Sequence, residues 1–240
     1  MFETRVSEGV LRVEREGTRW LSTGWDGGGS EGPVAYNVSV PEGWGRTDLT
    51  TYVAARRERA GFNRPGPTLL TGVSLEHARG ARYGPVEAIV TAGVSNPAAL
   101  PMEPSGKRSV PEGEPGPGTV NVIVGTTRDC RDGALANLLA VAAEAKAATL
   151  VDRAGVPGTT TDAVIAACDP AGEPVEFTGS ATPAGSAARA CVREAVRASL
   201  DSRYPEGDPP TLSEAEYGIE TTERAEVYRV GDRTGEVGPR

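Results

Sequence analysis

A chain of 240 residues is long enough to bury most of its unfolded surface in one large domain without disulfide or metal staples. Acidic residues outnumber basic ones 33 to 25, and the formal net charge of -8 disfavours nucleic acid and anionic membranes as partners, since both select a basic face. The single histidine, His77, and three cysteines without metal-ligand spacing exclude a His-rich metal centre, and no metal ligands are assigned.

In chain order, strands separated by glycine-rich turns are expected at Val10 to Val13, Trp20 to Thr23, Val34 to Val40, Thr68 to Ser74 and Val86 to Ala92. A helix from Asp48 to Ala60 interrupts them, with Asp48 as its cap. Pro101 to Gly118 is a long Pro/Gly/Glu-rich loop, the kind that serves as a lid or binding loop, and a strand follows from Thr119 to Val124. The longest helical stretch starts at Asp132 and ends near Gly155. A strand from Asp162 to Cys168 and an amphipathic helix from Ser186 to Leu200 complete the pattern, and Arg233 to Arg240 reads as a frayed end. The order predicts an α+β fold: one domain over residues 1–228, built on a mixed β-sheet covered by helices, with a polar C-terminal tail over 229–240.

Lys146 stands out in this frame. Leu135, Leu138, Leu139, Ala142, Lys146 and Thr149 share one side of the long helix at the helical period, so Lys146 points toward a core or cleft. An ammonium there requires a charged partner or a route to water. The other lysine, Lys107, lies in the long loop, and every remaining cation is arginine. Acidic balance, scarce lysine and abundant small residues match a cytoplasmic protein of a high-salt organism, in which surface carboxylates mainly serve solvation. Reduced thiols fit the same compartment. Neither a signal peptide nor an apolar run of the ~20 residues that span a membrane is read in the chain.

Four segments end strands in Gly, Asn or Thr: Leu21-Ser-Thr-Gly-Trp-Asp-Gly-Gly-Gly29, Thr91-Ala-Gly-Val-Ser-Asn-Pro97, Gly118-Thr-Val-Asn-Val-Ile-Val124 and Gly158-Thr-Thr-Thr-Asp-Ala-Val-Ile-Ala-Ala167. Glycine admits a ligand to backbone N–H groups, and Asn and Thr hold polar substrates without adding charge. Taken in order with Asp132-Gly-Ala-Leu135, Glu144-Ala-Lys146 and Ala215-Glu-Tyr-Gly-Ile219, they resemble the adenosylcobinamide amidohydrolase family over roughly Gly9 to Val227. One departure is Thr178-Gly-Ser-Ala-Thr-Pro-Ala-Gly185, where relatives carry a histidine.

The resemblance implies a corrinoid-salvage enzyme that hydrolyses the amide between the aminopropanol arm and the corrin side chain of adenosylcobinamide. The cobalt belongs to the substrate, and no cofactor of the protein's own is implied. Lys146, Asp162 and Glu144 are the candidate catalytic residues; Ser22, Thr23, Gly28, Asn96, Thr119, Asn121, Asp132, Thr159 and Thr160 are candidates for binding the corrinoid. Each has a structural alternative. Asp162 activates water or caps the turn of Thr159 to Thr161, Asn96 and Asn121 contact substrate or bridge strands, and Asp132 is a helix N-cap. Glu144 lies nearly opposite Lys146 on an ideal helix, where a solvated face accounts for it. Ser22 and Thr23 line the mouth or end a strand, His77 occupies an exposed turn, and Cys130 is a thiol near a helix start or a small buried hydrophobe. A corrinoid-binding protein without chemistry is the alternative function, and homo-oligomerisation is left open.

Overall fold

A computed structural model describes residues 1–41, 48–104, 118–215 and 217–230. The expected tail at Arg233 to Arg240 and most of the Pro101 to Gly118 loop, including Lys107, lie outside the described residues.

The chain opens with a hairpin of β1 (Glu3–Ser7) and β2 (Val10–Ser22), turned at Glu8 and Gly9, both with positive φ. Positive φ at both central residues is the turn geometry that matches strand twist. β3 (Gly28–Ser39) returns along β2, followed by α1 (Leu49–Arg59), β4 (Thr68–Thr71), a 3-10 turn at Leu75–His77, β5 (Arg79–Tyr83) and β6 (Val86–Ala92). Short β7 (Pro97–Ala99), β8 (Val120–Thr126) and β9 (Asp129–Cys130) lead into α2 (Asp132–Ala154). β10 (Gly158–Thr159), β11 (Ala163–Cys168) and β12 (Pro174–Val175) precede α3 (Pro183–Arg203), and β13 (Ile219–Glu220) comes last.

The main sheet is mixed, in the order β4-β3-β2-β11-β8-β6-β5, with β1 paired to the first half of β2. β8 and β11 are parallel, joined by α2, and their other neighbours run antiparallel. The two strands expected from Val10 and from Trp20 are one continuous strand with an irregularity between Glu14 and Thr18. Gly17 supplies the left-handed residue there, with φ +69. The charges that break the apolar pattern are neutralised in place: Arg12 pairs with Glu14 at 2.6 Å and Arg15 with Asp169. The polar strands β1 and β5, absent from the sequence reading, sit beside only one neighbour each in the sheet, so little apolar burial is required of them.

Every residue of β6 and of β8 is buried, which accounts for their unbroken apolar runs. One face, with Val86, Val90, Val122, Val124, Val164 and Ala166, meets α2 and α3. The other face holds Leu11, Val13, Trp20, Ala35, Leu69, Ile89, Ile123 and Ile165. The sheet curls over this second core. Asn121 Nδ2 of β8 donates to the Leu70 carbonyl of β4 at 2.8 Å and to Asn37 Oδ1 of β3 at 3.0 Å, although β3, β2 and β11 lie between β4 and β8 in strand order. Ala60 and Phe62, just after α1, pack with Val34, Tyr36 and Val38 of β3, and Tyr52 of α1 lies against the same cluster.

Asp48 caps α1 as expected, accepting from Thr50 N at 3.1 Å. Asp132 is not the cap of α2: Arg131 occupies that position, and Asp132 lies in the first turn, where a carboxylate suits the helix dipole. Gly155, with φ +69, ends α2. By length and composition α2 is apolar enough to cross a membrane, contrary to the sequence reading, but half of its apolar window is buried against the sheet and α3. α3 begins at Pro183, earlier than expected, because proline suits the first helical turn and Thr182 Oγ1 accepts from Gly185 N at 3.0 Å. Thr182→Ala removes this cap and is expected to cost about 1 kcal/mol in urea unfolding, with no change in the slope of the transition.

Candidate active site

The end of β6, the starts of β8 and β11, and the turn from β2 to β3 meet at one end of the sheet. α2 runs back toward this end, carrying Lys146 over the start of β11. Lys146 Nζ donates to Asp162 Oδ2, and the two side chains are 10% and 11% exposed, so the burial expected of Lys146 is resolved by an ion pair.

Asp162 is held on every side. Its Oδ2 also accepts from Thr159 N at 3.1 Å, while Oδ1 accepts from Val120 N at 2.8 Å and from Thr159 Oγ1. Four donors on one carboxylate compensate much of its lost hydration. Gly158 belongs to the same arrangement, because a Cβ there would lie 2.7 Å from Asp162 Oδ2 and 3.0 Å from Lys146 Nζ. A larger residue would push against the ion pair.

Hydroxyls and amides surround it. Thr160 donates to Asn96 Oδ1 through N at 3.2 Å and Oγ1 at 2.7 Å, tying the β10 turn to the segment after β6. Thr119 Oγ1 and Thr161 Oγ1 are 2.6 Å apart, Thr161 donates to the Gly118 carbonyl at 3.1 Å, and the same carbonyl lies 3.1 Å from Thr159 Oγ1, whose single proton goes to the nearer Asp162 Oδ1. Thr23 Oγ1 accepts from Val164 N at 2.9 Å and Ser22 Oγ from Gly24 N at 3.0 Å, fastening the start of the β2–β3 turn beside β11.

Lys146, Asp162, Asn96, Thr119, Thr159 and Thr160 are thus brought together, with Thr23 at the margin. Asn121 is not with them. Its neighbours Val120 and Val122 face the helices, so strand alternation turns Asn121 to the opposite face, where it joins Asn37; Asn37 Nδ2 in turn donates to Thr91 Oγ1 at 2.9 Å. This is the strand-bridging alternative for Asn121; its partner Asn37 was not legible from local sequence. Ser22 and Gly28 line a separate cavity beside the β2–β3 turn.

Glu144 and Asp132 stand apart as well. Glu144 lies about 200° around α2 from Lys146 and pairs with Arg189 of α3 at 3.3 Å on an exposed surface. Asp132 is exposed, 3.5 Å from Arg19. Glu144→Gln is therefore expected to leave kcat and KM within twofold of the parent, read from initial rates; an exposed pair of this kind is weak. A large fall in kcat would return Glu144 to the chemistry.

His77 is not an exposed turn residue. Its ring is mostly buried on α3, with Nδ1 3.0 Å from Ser202 Oγ. Cys130 is fully buried, and the hydrogen-bonded Cys168 thiol together with burial pushes its pKa up, which disfavours a nucleophilic role. The neighbouring Cys130 thiol, with further help from the Arg19 guanidinium, holds the Cys168 pKa below its ordinary value. Among the described residues no group of three His, Cys, Asp or Glu side chains is placed to hold a metal ion.

The chain is a mixed α/β protein whose sheet end gathers threonine hydroxyls and an asparagine amide around one buried Lys–Asp pair. The chain belongs to the adenosylcobinamide amidohydrolase family, whose sequence pattern matches residues 2–208. It is 54% identical over 231 residues to an adenosylcobinamide amidohydrolase of Halobacterium salinarum, a match covering 95% of this chain and 100% of that protein. An adenosylcobinamide amidohydrolase of Methanosarcina mazei is 26% identical over 193 residues, covering 76% of this chain and 90% of the relative.

Proposed function

We propose that the protein hydrolyses the amide joining the aminopropanol arm to the corrin side chain of adenosylcobinamide, releasing adenosylcobyric acid and 1-amino-2-propanol in corrinoid salvage. The observation that carries this reading is the buried Lys146–Asp162 pair among neutral hydroxyls and amides at one end of the sheet, in a chain of this family. Binding a neutral side-chain amide does not by itself require a buried charge.

Amide hydrolysis develops negative charge on the carbonyl oxygen and requires a proton for the departing amine. Lys146 has three N–H donors, and among the described residues only Asp162 takes one, which leaves others to meet the developing oxyanion. Asp162 already accepts four hydrogen bonds, which makes it the anchor of Lys146 and the acceptor of the Thr159 hydroxyl proton. Thr159 Oγ1 is then the oxygen best placed to be activated: it bonds to the amide carbon as its proton passes to Asp162, the amine takes that proton as the C–N bond breaks, and water then hydrolyses the resulting ester and restores the hydroxyl. Asn96, Thr119 and Thr160 hold the segments around the ion pair in place through their mutual hydrogen bonds. Three free buried thiols support placement in a reducing cytoplasm.

Incubation of the protein with adenosylcobinamide, followed by chromatography for 1-amino-2-propanol and the corrinoid acid, tests the proposal. Release of both in equal amounts is expected, unaffected by a chelator, because the hydroxyl and ion-pair chemistry just described needs no metal. Tight binding of the corrinoid without release would mark a carrier. Activity that chelation abolishes and one divalent ion restores would replace the metal-independent scheme.

A further inference from the structure

We infer that the cavity enclosed by the β2–β3 turn and the Pro65–Thr68 segment receives the adenosyl group of the corrinoid, with Trp25 stacking on the purine and Asp26 accepting from the ribose hydroxyls. The inference rests on the substrate proposed above.

The cavity measures about 340 Å³ and lies outside the ion-pair cluster. That is near the lower end of small-molecule pockets, ~300–1,000 Å³, so it fits a nucleoside-sized group and not a corrin macrocycle. Its walls are built, not incidental. A Cβ on Gly24 would lie 2.6 Å from Leu69 Cδ2 and 2.9 Å from Thr68 O, and one on Gly66 would lie 2.2 Å from Val34 O. Each loop therefore approaches backbone or core at a distance only glycine permits, and the gap between them is fixed.

The lining chemistry selects the occupant. Trp20 is fully buried and spends its indole N–H on the Gly32 carbonyl at 2.8 Å, whereas Trp25 is half-buried and presents an aromatic surface. Asp26, held in the left-handed region at φ +50, and Glu31 line the same space without a described hydrogen bond or ion pair. A carboxylate is a recurrent acceptor for ribose hydroxyls. Among the described residues no Lys or Arg lines the cavity, so a phosphate there would meet only negative charge and the site suits an unphosphorylated nucleoside. The adenosyl group has a flat base, a ribose and no phosphate. The aminopropanol arm, small and aliphatic, would gain little from an indole face.

Position agrees. Thr23, which opens the turn, bonds to Val164 of β11, two residues beyond Asp162, so the cavity lies at the end of the sheet that holds the ion pair.

The test uses 5′-deoxyadenosine as probe. Calorimetry is expected to show it binding the intact protein at up to millimolar concentration, and kinetics to show it competing with adenosylcobinamide. Trp25→Ala should weaken the probe roughly 5- to 150-fold, the range of base–aromatic stacking, and raise KM for adenosylcobinamide more than it lowers kcat. Trp25→Phe should restore most of the binding. Asp26→Asn, whose new side chain tolerates left-handed backbone, should weaken the probe independently should the Ala variant not fold. No heat with the parent protein, probe binding unchanged in the variants, or inhibition that is not competitive would overturn the assignment. Failure of the parent to hydrolyse adenosylcobinamide would instead sink the proposed reaction, and the calorimetry would still decide whether the cavity takes a nucleoside.

Discussion

Lys146→Met is expected to lower turnover of adenosylcobinamide by about 100- to 1,000-fold, the usual cost of deleting one oxyanion donor. Methionine keeps most of the side-chain volume, so the surrounding packing on α2 persists while the ammonium is lost. Asp162 would keep its bonds from Val120 N, Thr159 N and Thr159 Oγ1, which limits the structural damage. The effect should fall mainly on kcat, because the interaction strengthens as charge develops on the carbonyl oxygen. Steady-state kinetics on protein with an unchanged circular dichroism spectrum provides the measurement. Near-parental turnover in a folded variant would show that Lys146 is held for stability alone.

Replacing the other partner should be harsher on the fold. Asp162→Ala leaves the Lys146 ammonium buried without its carboxylate and strips Val120 N and the Thr159 turn of their acceptor. Breaking a buried pair by removing one partner costs roughly 3–5 kcal/mol. For a chain of this size each 1 kcal/mol moves the midpoint by about 2–4 °C, so a loss on the order of 10 °C is expected in calorimetry. Asp162→Asn, which keeps an acceptor for the backbone donors, should lose less stability but still lose activity, since a neutral amide neither fixes the ammonium nor takes the Thr159 proton. A cost below about 1 kcal/mol for the Ala variant would mean that the ammonium finds water or another partner.

Some elements were readable because their causes are local. The Asp48 cap, the fully apolar strands β6 and β8, and the stop of α2 at Gly155 each depend on residues within a few positions of one another. The inward placement of Lys146 followed from helical period in the same way. The N-cap role of Asp132 failed by a single position, and the long β2 was divided because charged residues in mid-strand, paired with partners far along the chain, look like a turn when those partners are unseen.

The sequence by itself therefore determined that one cation had to be buried, which segments end in hydroxyls and amides, and to which family their order belongs. The tertiary structure alone decided which of them meet. The crossover through α2 sets Lys146 on Asp162 across 16 positions, strand alternation sends Asn121 to the far face, and curling of the sheet joins it to Asn37 across 84. Periodicity tells which side of an element is apolar, and says nothing about what that side will face. That choice is made when distant segments close on one another, because the burial and hydrogen bonds that offset the lost chain entropy exist only after closure.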